Sequence, residues 1–355
     1  MRKIIKGFRL TQIAKPVLIF ISILALSIYP KEIGTGIKTG LTTLYETIIP
    51  SLFPFMILSS YASDSHVADA FARKLFSFSK KAFKVNPHGI IAFLLGILGG
   101  YPIGAKSLAE FYENKKLNNY DVRKLFCWCI NPSPAFAITA VGTFMLGSTK
   151  SGIIIYISIL ISSLCIGLCI GFLNKNFQCV SDFKEIKVDS KHIFINSVAK
   201  GNSAMLSVCG WILIFSGISA SLEKVIPNEY ASLFFNSITE VTNGCKVAIS
   251  HSLPLPAICA ILSFGGLAVI FQIGPYLEKC NISFKEFFCW RVVNGSLSAF
   301  LCSQLLRIFP DCQTVFSNIS IGNTTLTTNH SLFTAFMMIL MCTVFVFEVD
   351  NRKKV

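Results

Sequence analysis

Strongly polar side chains are rare in this chain, and the few inside its apolar stretches mark where chemistry could occur. Lys106 follows a glycine-rich run, GIIAFLLGILGGYPIGA at 89–105, and Asn131-Pro132-Ser133-Pro134 interrupts an apolar helix. Glu240-Val241-Thr242-Asn243-Gly244 precedes a second glycine-bearing run, 255–277, which carries Gln272; Asn294 stands in the apolar segment after it. Polar groups at membrane depth are expensive and tend to face a cavity, pair, or hold helices together. Lys106 at the mouth of a re-entrant segment could attract an anionic group, or it could snorkel to the interface. The two prolines free backbone carbonyls, and Asn131 and Ser133 add donors and acceptors at the break, as in discontinuous transporter helices. The alternative for this pair is interhelical polar glue, worth about 1 kcal/mol. The Glu240–Gly244 stretch could hydrogen-bond a polar solute or take a coupling proton; equally, it could cap a helix at a membrane interface.

Catalytic signatures are missing from the sequence. No HExxH, Walker A, G-x-S-x-G or dinucleotide-binding glycine motif occurs. Asp64-Ser65-His66 has the residue types of a hydrolytic triad, but such geometry is normally assembled from distant segments. The thirteen cysteines lie in apolar stretches with no C-x-x-C or zinc spacing. Neither an enzyme nor a cofactor or metal protein is therefore expected.

The elements that must position these groups are membrane helices. Of 355 residues, 53% are hydrophobic and only 14% charged, against about 25% charged in a soluble domain. The net charge of +14 reads as basic cytoplasmic loops rather than a nucleic-acid surface. Apolar stretches fall near 13–29, 37–62, 89–105, 125–147, 151–173, 193–222, 255–277, 287–309 and 331–348. Each full span needs about 20 apolar residues. The fold class is thus an all-α polytopic membrane protein with about seven to nine apolar segments, its partner being the lipid bilayer. Segment 63–88, with Val67, Phe71, Leu75, Phe78 and Phe83 near helical spacing and lysines opposite, reads as an interfacial amphipathic helix or a short basic connector.

The chain also matches itself. AFLLGILGGY at 92–101 overlies ICAILSFGGL at 258–267, which pairs Gly99-Gly100 with Gly265-Gly266 and sets Lys106 opposite Gln272. Further on, Phe126-Cys127-Trp128 meets Phe288-Cys289-Trp290, and Asn131 meets Asn294. This collinear order indicates two repeats, each with a glycine-broken re-entrant segment. Residues 1–15 hold five basic and no acidic side chains, and 63–88 and 174–200 are also basic, so all three are expected in the cytoplasm. If 89–105 enters and leaves on one side, the first half crosses three times and the second copy is inverted. The basic tail, Arg352-Lys353-Lys354, runs against strict inversion.

Gly99-Gly-Tyr-Pro-Ile-Gly-Ala-Lys106, Asn131-Pro-Ser-Pro-Ala-Phe136, Glu240-Val-Thr-Asn-Gly244 and Ser263-Phe-Gly-Gly-Leu-Ala-Val-Ile-Phe-Gln272 together resemble the YlbJ family of sporulation integral membrane proteins. That family stands with the nucleoside-recognition "Gate" proteins and the spore maturation proteins. The likeness runs from about residue 38 to 310; Tyr101 departs from the more usual Phe, and the NPSP motif varies.

The resemblance implies a multi-pass protein of the cell inner membrane that serves spore development; the basic residues 1–15 place its N-terminus in the cytoplasm. The expected division is 1–36, basic segment and first helix; 37–173, first Gate-like repeat; 174–192, cytoplasmic linker; 193–348, second Gate-like repeat; 349–355, basic tail. Carried over by position, the solute-facing candidates are Lys106, Asn131, Ser133, Glu240, Thr242, Gln272 and Asn294. Gly99, Gly100, Gly104, Gly265 and Gly266 would permit close backbone approach. The expected function is permease-like binding or transport of a nucleoside or other small polar solute with a coupling ion. The alternative is a structural or assembly factor of the developing spore envelope. Self-association or sporulation membrane partners fit either reading.

Overall fold

The computed structural model describes residues 27–173, 192–226 and 228–310, and every regular element among them is helical. The expected linker and tail, together with nearly all of the first apolar stretch and all of the last, lie outside those residues. Proline and glycine set most of the boundaries. Helix α1 (Pro30–Thr43) passes through a wide π turn (Leu44–Ile48) into α2 (Ile49–Asp64). Pro50 lacks the N–H that would close the preceding turn, and the helix widens there.

Helix α3 (His66–Phe78) continues into a π turn at Ser79–Phe83 and then bends by 93° into α4 (Pro87–Gly99). Lys84 at φ 47° makes the corner, and Asn86 caps α4 by accepting from His88 N at 3.1 Å. Along α3, Ala68 and Ala72 are buried while Val67, Phe71 and Phe78 are exposed beside Lys80 and Lys81. An apolar face turned away from the protein and edged by lysines is the pattern of a helix lying in a membrane interface.

The two glycine breaks turn the chain differently. Gly100, at φ 94°, ends α4, and α5 (Tyr101–Glu113) folds back along it. A Cβ on Gly96 would come within 3.0 Å of Gly104 Cα, so the pair is a helical hairpin with Gly100 at its tip. At the second break α11 (Leu255–Phe264) and α12 (Gly266–Lys279) meet at Gly265 and Gly266, at φ 84° and 76°. There the chain runs onward, and 255–279 is long and apolar enough to be one span.

Between the breaks lie α6 (Asn119–Phe126), an unwound stretch, a π helix (Ala135–Met145), α7 (Thr149–Leu173), α8 (Ile193–Val225), α9 (Glu229–Thr239) and α10 (Val241–Ser250). Helix α13 (Phe284–Ile308) closes the described chain and packs between α7 and α11. The 33 residues of α8 extend about 50 Å, longer than the bilayer core of about 30 Å. Only 33% of its most apolar window is buried within the protein, so much of its surface is left for lipid.

Among the described residues, three helices are long and apolar enough to cross a membrane, or four if the bent α3–α4 pair counts as one. Seven to nine apolar segments are expected along the whole chain; two of the nine stretches lie largely or wholly outside the described residues, and the others are not all single spans. The apolar stretches 37–62, 89–105 and 125–147 are divided by proline and glycine into shorter pieces, and the long helix containing 287–309 carries Lys285, Glu286, Arg291 and Arg307. The main core joins both halves: Trp128 stacks on Phe83 at 5.1 Å and meets Phe93 at 4.7 Å, and the same cluster continues through Ile258, Leu262 and Phe287.

Candidate solute site at the helix breaks

The broken elements converge. Tyr101, just past the first break, donates its hydroxyl to Leu262 O in α11, and its ring lies 3.5 Å from where a Cβ on Gly265 would sit. Arg291 of α13, 1% exposed, donates from Nε to Phe264 O at 3.1 Å and from Nη1 to Ile130 O, with its guanidinium 5.5 Å from the Tyr101 ring centre. One guanidinium thus ties the end of α11 to the unwound stretch after α6. The second break also rests on the α9–α10 junction: a Cβ on Gly266 would come within 3.2 Å of Ile238 O and Thr239 O.

A cavity opens beside this junction, with an empty volume of about 610 Å³ that includes its mouth. Tyr101, Ser133, Glu240, Thr242 and Gln272 are its polar lining residues, and Gly100, Leu52, Phe136, Val208, Ile212 and Val269 line it as well. Glu240 is extended between two helices and caps α10, accepting from Thr242 N at 2.9 Å and Asn243 N at 2.7 Å. Ser133 Oγ accepts from Phe136 N at 3.2 Å at the start of the π helix, which leaves its O–H to donate. The Gln272 amide and the Thr242 hydroxyl make no side-chain hydrogen bond among the described residues. A second cavity of about 600 Å³ adjoins the first. It is lined by Thr35, Thr39 and Thr43 of α1 and by Glu223 of α8, and it shares Ile212, Glu240 and Thr242 with its neighbour.

The candidates from sequence do not all reach the cavity. Ser133, Glu240, Thr242, Gln272 and Gly100 line the cavity. Asn131 and Asn294, the paired asparagines, are outside its lining and meet in a fully buried network: Ser163 donates to Asn131 Oδ1 at 2.6 Å and accepts from Asn294 Nδ2 at 3.2 Å. Ser162 and Ser263 donate to Asn294 Oδ1 at 2.8 and 3.2 Å. This is the interhelical role that stood as the alternative for Asn131. Lys106 is also off the cavity, buried in an ion pair with Glu110 at 3.3 Å. Gly99 and Gly104 serve helix packing: a Cβ on Gly104 would come within 2.6 Å of Cys129 O, and one on Gly99 would strike Ile103. Gly265 and Gly266 form the second break.

Arg291 and Glu110 were missed from the sequence. Both carried a signal: Arg291 is a charge in the middle of an apolar segment, and Glu110 stands one helical turn after Lys106.

Apolar helices that leave faces for lipid, wrapped around two glycine breaks, define an all-α integral membrane protein. The chain is similar to the sporulation integral membrane protein YlbJ of Bacillus subtilis (strain 168), 24% identical over a 313-residue alignment covering 76% of this chain and 77% of that protein. This relative bears out the YlbJ-family resemblance carried by the motifs. No protein-family model matches the chain, and no solved structure does.

Proposed function

We propose that this is a sporulation-associated, multi-pass protein of the inner membrane whose central cavity binds a small polar solute and passes it across the bilayer. The observation that carries the reading is the convergence of Ser133, Thr242 and Gln272 on one cavity, each with hydrogen-bonding capacity left over. Phe136, Leu52 and Val269 line the same cavity, so the site offers both hydrogen-bonding groups and apolar surface to a ligand. A nucleoside, with a flat base and a hydroxyl-rich sugar, has that character. Two repeats with broken helices meeting beside the site support a permease, because backbone freed at such breaks is what transporters turn toward solutes. The repeats are related by inversion in this reading, with the N-terminus in the cytoplasm.

The test is thermal stabilisation of the purified full chain by a panel of nucleosides and small polar metabolites. A stabilising compound is expected, with the effect lost in Gln272→Ala. A flat response across the panel overturns the solute reading. The structural-factor reading is favoured by one observation, the exposed face of α3 with Phe71, Phe78, Lys80 and Lys81. It expects sporulation to fail when those lysines are replaced by glutamine and to survive Gln272→Ala.

A further inference from the structure

We propose that the second cavity receives a positively charged amine, so that the solute is a small organic cation with its ammonium against Glu240 and Glu223 and its uncharged part in the first cavity. The proposal rests on the solute-binding reading above and narrows its substrate class.

The second cavity offers a ligand mostly acceptors. Thr35, Thr39 and Thr43 line it from α1, four residues apart, and each donates its hydroxyl to the carbonyl one turn back: Lys31 O at 2.8 Å, Thr35 O at 3.1 Å and Thr39 O at 3.1 Å. A threonine bonded in this way has used its one hydroxyl proton, and only oxygen lone pairs remain for a ligand. Along one helix face the three make a row of acceptors about 12 Å long. Gly36 and Gly40 let that helix close on α8, because a Cβ on either would strike Ser216. Ser216 and Thr242, each 7% exposed, line the cavity as well, and their hydroxyls make no hydrogen bond among the described residues. A polar group left unpartnered at that depth is costly, and the cavity is where a partner can stand.

The charge along both cavities has one sign. Glu240 lines the two of them and Glu223 the second, whereas no lysine, arginine or histidine lines either among the described residues. Glu240 is 4% exposed and accepts from Thr242 N and Asn243 N, yet neither it nor Glu223 has an ion-pair partner among the described residues. A buried carboxylate is expensive without a counter-charge, the more so at membrane depth. Glu223 stands in the last turn of α8, where the negative end of the helix dipole also favours a cation.

The spread of these oxygens favours an amine over a metal ion. A hard ion such as calcium gathers six to eight oxygens at about 2.3–2.6 Å around one point, but here the acceptors are strung along a helix. No group of three or more His, Cys, Asp or Glu among the described residues is placed to hold a metal. An ammonium only donates, with up to three bonds, and so matches hydroxyl lone pairs and carboxylates. Because Glu240 and Thr242 belong to both cavities, a cation held there leaves the rest of its molecule beside Gln272, Ser133 and Phe136.

Thermal unfolding of the full chain in detergent, with matched pairs of probes, tests the charge. Phenethylamine and 2-phenylethanol differ in an ammonium against a hydroxyl, and putrescine and 1,4-butanediol differ in the same way without a ring. Stabilisation by at least one amine that its alcohol does not match is expected. The half-saturating amine concentration is expected to rise about tenfold in Glu240→Gln and about threefold in Glu223→Gln, the more exposed carboxylate. Thr39→Val, which removes one acceptor from an exposed position, is expected to raise it too. If Glu240→Gln does not accumulate, the other two variants read the same site. Stabilisation by neutral compounds alone, an alcohol as effective as its amine, or an amine effect that every variant leaves unchanged overturns the proposal and leaves the solute reading standing. Stabilisation by sodium chloride over potassium chloride with no response to either amine also overturns it, the second cavity then holding a metal ion. A flat response to the amines, the alcohols and the nucleoside panel together removes the solute reading as well.

Discussion

A fully buried guanidinium needs negative charge nearby, and Arg291 takes it from backbone carbonyls. Phe264 O lies at the C-terminal end of α11, where the helix dipole is negative, and Ile130 O belongs to an unwound stretch that has no helical donor of its own to offer it. Arg291→Met is expected to leave both carbonyls unsatisfied and to lower stability by about 2–4 kcal/mol, read by thermal unfolding in detergent. Arg291→Lys, lacking the planar fork, is expected to recover only part of this. Asp121, outside the spans on α6, gives a pH-dependent counterpart. Burial pushes its carboxyl up to about 6, against the opposing pull of Lys124. A raised carboxylate pKa means that the charged form burdens the folded state above about pH 6, and the burden fades as pH falls toward the unfolded value. Asp121→Asn is therefore expected to raise stability at neutral pH by at most about 3 kcal/mol and to change little near pH 4. At this scale the sequence showed which polar residues were anomalous, but not what each would meet. Asn131 and Gln272 look alike as amides in apolar helices; one is saturated by Ser163 and Trp128 O, the other faces a cavity.

The elements turn on the glycine breaks. At Gly100 the φ of 94° disfavours any side chain, and a Cβ would sit 3.3 Å from Ser133 N and Cβ. Gly100→Ala is expected to destabilise the protein by about 1–3 kcal/mol and to disturb the cavity wall. Gly147→Ala serves as the control, because Gly147 has φ 65° with nothing within 4 Å of the added carbon; it should show the milder cost of backbone conformation alone. Thermal unfolding of the two variants side by side checks that Gly100→Ala costs more than Gly147→Ala. Both breaks were legible as Gly-Gly pairs. What happens after each break was not, because a glycine permits a turn without choosing its angle. At the first break the chain folds back because Gly96 and Gly104 let α4 and α5 close together and admit Cys129 O against them; at the second it runs on into α12.

Across the whole molecule the hairpin makes a prediction about sides. If α4 and α5 enter and leave the same face, cysteines placed at exposed Lys81 and Lys115 should react with a membrane-impermeant maleimide, above the background of the native thiols, from the same side of the membrane. Labelling from opposite sides would mean that the pair crosses. Composition together with long unbroken apolar stretches was sufficient for an all-helical membrane protein, because a continuous apolar run of about 20 residues in lipid satisfies its backbone within a helix. The internal match and the motifs marked where the helices break and which family the chain resembles. Tertiary structure alone decided the rest: that Tyr101 reaches Leu262, that Arg291 joins the two breaks, that the paired asparagines meet through Ser163, and that Lys106 is held by Met56 O and Ser60 rather than opened to the cavity. Local sequence sets helix, break and polarity, since those depend on neighbours along the chain. Which polar group is saturated and which is left to bind depends on contacts between residues tens to more than a hundred positions apart, and these exist only once the helices have packed.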